Sequence, residues 1–429
     1  MDRLLLKNLG LYGAYYGFRF LFPLIVTPFL AHVLARGAFA DFAIINSCVW
    51  TSSVFMEFGF YLYGVAKTAA AADDKAELGA VVSSIAMSKL LLSPMAAAVY
   101  LGLTLWTGVL GREPTASLVG LVSALGYGAS FAWYFQGRQR GLFAVLNEAI
   151  PQAVQFSLLL LFVRSPSQLW LVFVLQAIPP LSSLSVALLT VRLEGLLHLP
   201  SLATVRQALG KASPYFVERF CFSTYTSIVP SLVAVLSTKA AVADYSVGDR
   251  FATVVVSLVG PLTQAAMPRV ARAVRTPEGG WGLSIRLVAV LVSVTIVLAL
   301  ALGLAANVII HMFFSKDFAG AVTVARIFCL SAVFSSLSYG VANFVLIPRD
   351  HVRVMFWSSA MALVLGLSAQ LVLAPLWGAT GAAIGRLVAE VTVATVLLTT
   401  AAPFFRRREG RPDGRVEAEI DPAASLAEP

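Results

Sequence analysis

Apolar runs of about twenty residues recur from one end of this chain to the other, separated by short polar turns. A bilayer core roughly 30 Å thick is crossed by about 20 helical residues, so each run is long enough to span it. Inside hydrocarbon the backbone must satisfy its own hydrogen bonds, which only helices and closed barrels allow. The runs are too long and continuous for barrel strands. The pattern therefore predicts an all-α polytopic membrane protein with about 12 transmembrane helices, near 9–35, 41–64, 80–107, 115–135, 146–163, 168–190, 213–237, 244–267, 283–308, 321–347, 352–373 and 379–402. No cleavable signal is expected, because the first run is long, lacks a small-residue cleavage site and leads straight into another span.

Composition agrees. Of 429 residues 59% are hydrophobic and only 12% charged, with a mean hydropathy of +0.83; a soluble domain is about 45–50% apolar and roughly a quarter charged. The net charge of +9 matters mainly through its distribution. If the N-terminus and every second loop share one side, that side holds Arg3, Lys7, Lys67, Lys75, Arg138, Arg140, Arg192, Arg206, Lys211, Arg269, Arg272, Arg275, Arg349, Arg353, Arg406, Arg407, Arg408, Arg411 and Arg415. The other side holds only Arg36, Arg112, Arg164, Lys239 and Lys316. The positive-inside rule puts the first side, with both termini, in the cytoplasm, and an even number of spans follows. The basic balance is thus a topology signal, and no nucleic-acid partner is expected.

The longest cytoplasmic link divides the chain six spans plus six: an N-terminal lobe over 1–190, a link over 191–212, a C-terminal lobe over 213–402, and a polar, disordered cytoplasmic tail over 403–429. The halves are weakly similar. "FLAHVLARGAFADF" lies over "LVAVLSTKAAVADY", pairing Arg36 with Lys239, Asp41 with Asp244 and Phe42 with Tyr245. Internal repeats of this kind are common in transporters, whose substrate sites lie between them. Prolines interrupt many spans (Pro23, Pro28, Pro94, Pro151, Pro179, Pro180, Pro230, Pro261 and Pro375), and each removes a helix hydrogen bond.

Charge also lies within the spans. Arg286 starts its span and can snorkel, whereas Arg19, Lys89, Arg219, Arg250, Arg326 and Arg386 sit about six to eleven residues in. Glu218 and Arg219 are neighbours in sequence and point roughly 100° apart on a helix, so they cannot pair with each other. Arg219 continues a polar stripe through Ser223, Thr226, Ser227 and Pro230, and Arg19 lies on another with Tyr12, Tyr16, Pro23 and Thr27. Such stripes face a wet interior, since charge facing lipid is too costly. The bland reading for Arg386 is an i,i+4 pair with Glu390, and for Arg219, Arg250 and Arg326 a reach to the nearer interface. Against the fewer acids Glu57, Glu148, Glu218, Asp249 and Glu390, the six basic residues predict a cationic cavity that attracts an anion; guanidinium in particular matches phosphate oxygens through paired hydrogen bonds. The five acids are candidates for ion coupling.

Cys48, Cys221 and Cys329 fall inside spans and read as buried structural thiols; no disulfide framework or metal-ligand spacing is present, so no metal or cofactor is expected. His32, His198, His311 and His351 are scattered, and no paired-carboxylate, nucleophile–His or phosphate-loop motif accompanies them. No catalytic residue is assigned.

Several stretches resemble the Wzx-type polysaccharide flippases of the multidrug/oligosaccharidyl-lipid/polysaccharide superfamily. They are "FMEFGFYLYGVAKTAAAADDKAELGAVVSSI", "WYFQGRQRG", "VADYSVGDRFATVVVSLVGPLTQAAMPRVAR" and "APLWGATGAAIGRLVAEV", similar to that family in order and spacing over 1–402. The resemblance implies two six-helix lobes around a central cavity. It implies a substrate too, an undecaprenyl-diphosphate-linked oligosaccharide turned across the inner membrane for O-antigen or other polysaccharide biosynthesis, with a polysaccharide polymerase and other assembly proteins as partners. Arg19, Lys89, Arg219, Arg250, Arg326 and Arg386 would then hold diphosphate or acidic sugars. The related drug antiporters carry an acid in the first span, where this chain has Arg19, and lipid II flippases have fourteen spans. An ion-coupled multidrug or cation antiporter of the same superfamily is the alternative, followed by a membrane polysaccharide polymerase, which the short outer loops disfavour.

Alkaline phosphatase fused at Arg112, Pro166 or Lys316 should be active, and at Asp74, Arg140 or Arg275 silent. Activity at Asp74 would reverse the orientation.

Overall fold

The computed structural model describes residues 25–406, apart from 258–262, 264–265, 267–268, 271, 275–279, 315, 350 and 352, and every regular element among them is helical. Residues 9–24 of the first predicted span, with Arg19, and the tail beyond Arg406 lie outside the described residues.

The main helices are α1 (Ala35–Glu57), α2 (Phe60–Ala70), α3 (Lys75–Trp106), α4 (Pro114–Gly128), α5 (Ala132–Gly137), α6 (Gly141–Phe162), α7 (Leu169–Gln176), α8 (Ile178–Leu193), α9 (Leu202–Thr226), α10 (Val229–Leu236), α11 (Lys239–Ser257), α12 (Trp281–Phe313), α13 (Ala321–Val341) and α14 (Arg353–Arg406). By length and hydropathy, eight spans qualify among the described residues, or nine if α9 and α10, bent by 43°, form one. Three features separate this count from twelve. The first predicted span lies largely outside the described residues. The eighth begins as α11, whose Lys239, Asp244, Asp249 and Arg250 make it too charged to qualify. The last two run together as one 50-residue segment ending at Ala402. At 1.5 Å per residue that segment would be about 75 Å long, more than twice the bilayer core. Gly378 breaks it with φ 57° and ψ −129°, between the two spans expected there. Its backbone lies against the turn before α11: a Cβ added at Gly378 would meet Ser237 Oγ at 3.3 Å.

Local chemistry sets the other breaks. Phe58 and Gly59 adopt left-handed backbone (φ 49° and 73°) between α1 and α2. The Glu57 carboxylate then accepts the Gly59 and Tyr61 amides at 3.1 and 2.7 Å, capping the exposed N–H groups of α2. A Cβ at Gly59 would lie 2.6 Å from Tyr215 Cβ, so α9 can approach only because the side chain is missing. Asp74 caps α3 through the Ala76 and Glu77 amides. Pro94, Pro151 and Pro214 lie inside helices, whereas Pro179, Pro180 and Pro230 occupy first turns, where the missing N–H costs little.

Polar groups collect in two clusters. At one end Arg138 donates to the Ala72 carbonyl at 2.6 Å, and Glu194 accepts from Arg140 at 2.5 Å and from the Tyr134 hydroxyl. Partial burial pushes the Glu194 carboxyl up, but the hydrogen bonds from Tyr134 and Arg140 and the nearby guanidinium charges outweigh it and hold the group below its ordinary range. At the other end Arg36, Asp41, Arg112, Lys239 and Asp244 come together. Between the ends, the largest apolar core joins α1, α4 and α7 to α10, α11 and α13 through side chains such as Phe39, Phe173, Val242 and Phe328. The flank of α12 carries exposed Leu300, Leu304 and Val308, as a lipid-facing surface requires. Cys48, Cys221 and Cys329 are buried free thiols.

Close helix approach depends on small residues. A Cβ at Gly64 of α2 would sit 2.6 Å from Trp133 Cε3 of α5, which is fully buried. Gly64→Val should therefore lower stability by about 1–3 kcal/mol through overpacking, read as an earlier thermal transition of purified protein in detergent. An unchanged transition would mean that α2 and α5 separate freely.

Candidate functional site: an axial cavity beneath a charged seam

The repeat seen in the sequence is a spatial relation. Lys239 and Asp244 of α11 stand 203 positions beyond Arg36 and Asp41 of α1. The contacts are reciprocal: Arg36 Nη2 lies 2.8 Å from Asp244 Oδ2, and Lys239 Nζ lies 2.6 Å from Asp41 Oδ2. Each basic residue of one repeat holds the acid of the other, as a pseudo-two-fold axis between α1 and α11 dictates. Arg112 adds a second guanidinium on Asp41 at 3.1 Å.

One turn further along both helices lies a cavity of about 250 Å³. Phe42, Ala43, Asn46 and Ser47 line it from α1, and Tyr245, Ser246, Asp249 and Arg250 line it from α11. These four positions on each side correspond in the repeat. Phe39, Trp50, Thr226, Ser227, Pro230 and Arg386 complete the wall. The corresponding positions do not carry the same charge. Where α1 presents neutral Asn46 and Ser47, α11 presents Asp249 and Arg250. Asn46 Oδ1 accepts from Gln176 Nε2 at 2.8 Å, and Ser47 Oγ donates to the Ser227 carbonyl at 2.6 Å. On the α11 side the Tyr245 hydroxyl, Ser246 Oγ and Arg250 Nε are buried without a hydrogen-bond partner among the described residues. Buried polar atoms are ordinarily partnered, so three orphans on one cavity wall mark a place where a polar guest or water is accommodated.

A second cavity of about 650 Å³ lies among α9, α11, α13 and α14. Its wall is mostly apolar, from Phe222, Val256, Met355 and Leu397, with Glu218, Arg219, Asp249, Arg386 and Glu390 as its charges. Asp249 and Arg386 line both cavities. Arg386 binds Glu390 at 2.8 Å and lies 5.4 Å from the centre of the Tyr225 ring. The i,i+4 pairing and the cavity position therefore hold together.

Among the sequence-predicted basic residues, Arg250 and Arg386 meet in the axial cavity, while Arg219 reaches only the larger one, exposed, 5.9 Å from the Phe222 ring. Its stripe is split, because Thr226, Ser227 and Pro230 line the axial cavity instead. Glu218, expected to turn away from Arg219, lines the same cavity as Arg219, and no ion pair joins the two among the described residues. Two of the six lie away from both cavities. Lys89 lines neither cavity: it is fully buried and donates to the Gly128 and Ser130 carbonyls at 2.9 and 2.7 Å, tying down the end of α4. Arg326 lines neither cavity: it is exposed near the start of α13 and donates to the Gly303 carbonyl at 3.3 Å, as a side chain reaching for the interface would. Arg19 lies outside the described residues. Of the acids, Glu218, Asp249 and Glu390 line the larger cavity, Glu57 caps α2, and Glu148 lies on α6 and lines neither cavity. Tyr245, Asn46, Ser47 and Trp50 were missed; carrying the Phe42–Tyr245 alignment one turn further would have reached the first three.

A family model described as "Polysaccharide biosynthesis protein" matches residues 5–274 of this chain. The chain belongs to that family. It is similar to an Escherichia coli (strain K12) protein named "Putative O-antigen transporter", 23% identical over 390 residues that cover 89% of this chain and 93% of the relative. In fold it is similar to an inward-facing multidrug-resistance transporter of the MATE family and MOP superfamily, with a TM-score of 0.70 at 13% identity over 91% of this chain and 96% of that one. The lipid II flippase MurJ in an inward closed conformation gives a TM-score of 0.61 at 12% identity, covering 89% of this chain and 87% of its own. The family member is thus a multi-pass membrane protein whose fold is similar to that of MOP-superfamily transporters, and the similar proteins are named as transporters and a flippase.

The settings of Lys89 and Arg326 predict opposite behaviour. Lys89→Met leaves two buried carbonyls unpaired and should lower stability by about 1.5–3 kcal/mol, seen as reduced abundance in the membrane and an earlier thermal transition. Arg326→Gln should change neither. Equal loss in both variants would show that the Gly303 contact also holds the fold.

Proposed function

We propose that this protein is a flippase that carries an undecaprenyl-diphosphate-linked oligosaccharide from the cytoplasmic to the outer leaflet of the bacterial inner membrane by alternating access, for polysaccharide biosynthesis. The observation that supports it most is the axial cavity. It lies on the seam between the repeats, and its guanidiniums, Arg250 and Arg386, both come from the C-terminal half. A diphosphate bridging them would meet paired donors, and the orphaned Tyr245 hydroxyl and Arg250 Nε would gain acceptors. At about 250 Å³ the cavity accommodates a head group rather than an oligosaccharide, so the sugars extend beyond it when the halves part. The apolar larger cavity is open to the same two residues, Asp249 and Arg386, and suits less polar parts of the ligand. Its carboxylates Glu218, Asp249 and Glu390 are the groups through which an ion would couple. In this reading the lobes are 1–190 and 213–402, and the strongly basic end, with both termini, faces the cytoplasm. The name of the Escherichia coli relative supports the substrate class, with polymerase and assembly proteins acting downstream.

Arg250→Ala should abolish surface polymer at normal membrane abundance, while complete lipid-linked repeat units accumulate on the cytoplasmic side. Arg250→Lys should restore export only in part, because an ammonium lacks the planar fork that matches phosphate. Full export by Arg250→Ala would remove the head-group role, and unpolymerised units on the outer face would favour a polymerase instead.

A further inference from the structure

We infer that the reciprocal ion pairs Arg36–Asp244 and Lys239–Asp41 are a latch that closes the outer end of the axial cavity, and that both must part before the cavity opens outward. The inference rests on the two-sided access of the reading above but not on its substrate. The pairs sit directly over the cavity: Asp41 and Asp244 each precede a cavity-lining residue, Phe42 and Tyr245. They join α1 to α11 rather than neighbours within one repeat, so any separation of the two helices at this end must break both. The side chains are well placed to part and re-form. Asp41 and Asp244 are nearly buried, whereas Arg36 and Lys239 are 33% and 44% exposed, so the basic partners have water beside them when released.

The seat of Asp244 is prepared. Gly320, just before α13, leaves the space that the Asp244 carboxylate occupies, and a Cβ there would clash with Asp244 Oδ2. Arg36 also lies 6.0 Å from the centre of the Phe318 ring, which packs edge-on against Phe39 at 5.8 Å. Beneath the ion pairs Ser231 Oγ donates to Ser47 Oγ at 2.9 Å, and Cys48 Sγ lies 3.5 Å from Ser231 Oγ. These are short, neutral contacts, each of about the same worth as a partly exposed ion pair. The two ion pairs differ from them in holding α1 to α11 from both sides at this end.

The test uses the full-length protein in intact cells, with Cys48, Cys221 and Cys329 replaced by serine and Ser246→Cys added as a reporter on the cavity wall. Reaction with a membrane-impermeant maleimide should be slow while the latch is intact. Asp41→Asn combined with Asp244→Asn should accelerate it about tenfold, the scale of two partly exposed ion pairs lost together. Exchanging one pair, Arg36→Asp with Asp244→Arg, should return the rate to near that of the intact latch, which a general loosening of the fold would not do. Gly320→Val should accelerate labelling with all four charged residues intact. An unchanged rate in the neutralised variant at equal abundance, or a rate that stays high after the exchange, would overturn the latch. So would acceleration confined to inside-out vesicles. Labelling needs no polysaccharide, so a failed latch leaves the export results for Arg250 variants standing, and failed export results leave the labelling outcome standing.

Discussion

A charged side chain near the middle of a bilayer costs a few kcal/mol on the most lenient scale and considerably more on an isolated helix. Every intramembrane charge in this fold must be met by something other than lipid. The structure meets them in four ways. Lys89 is absorbed by two carbonyls at a helix end, Arg326 reaches outward toward the interface, Arg386 takes Glu390 along its own helix, and Arg36, Asp41, Lys239 and Asp244 exchange partners across the seam. Among the described residues Arg250, Asp249, Glu218 and Arg219 have none of these answers and stand on cavity walls.

α11 shows how fold and site depend on the same requirement. Its sequence is too polar to qualify as a span by hydropathy, yet eleven of its nineteen residues are buried. A helix of that kind is stable in a membrane only with protein on nearly all sides. α1 covers one face through the seam and α13 covers another, where Gly248 lets Val324 approach so closely that a Cβ would lie 2.5 Å from it. The charges that define the cavity thus also oblige the two halves to stay together. Helices such as α12, with none of them, are free to lie at the lipid boundary.

How much could be read from the sequence follows from what a linear pattern records. Hydropathy records depth, so the described spans after the first emerged close to where they were expected, and the repeat around Asp41 and Asp244 was visible because identical chemistry recurs at a fixed offset. Direction around a helix is recorded only when one face is uniformly polar. Lys89 sits among Ser84, Ser88 and Ser93 and reads like a cavity residue, but the carbonyls that hold it belong to another helix. Glu57 reads as an intramembrane acid because nothing in the string announces that Phe58 and Gly59 will break the helix and expose amides for it to cap. The fold class was legible from the length and continuity of the apolar runs, with composition in agreement. Which charges share a cavity was not, because that depends on how helices far apart in the chain are turned toward one another.

The one-sided charge of the axial cavity has a thermodynamic consequence. In the function proposed above, Arg250 and Arg386 belong to the same half, so the groups that would grip an anion keep their mutual spacing whichever end of the molecule is open. A guest held by a single rigid wall is bound about equally in both conformations, and a ligand with equal affinity for two states shifts neither population. Under that proposal the site would carry its guest without pushing it, and net movement would be drawn from outside the contact itself, either from a gradient acting on the carboxylates Glu218, Asp249 and Glu390 or from removal of the guest on the far side.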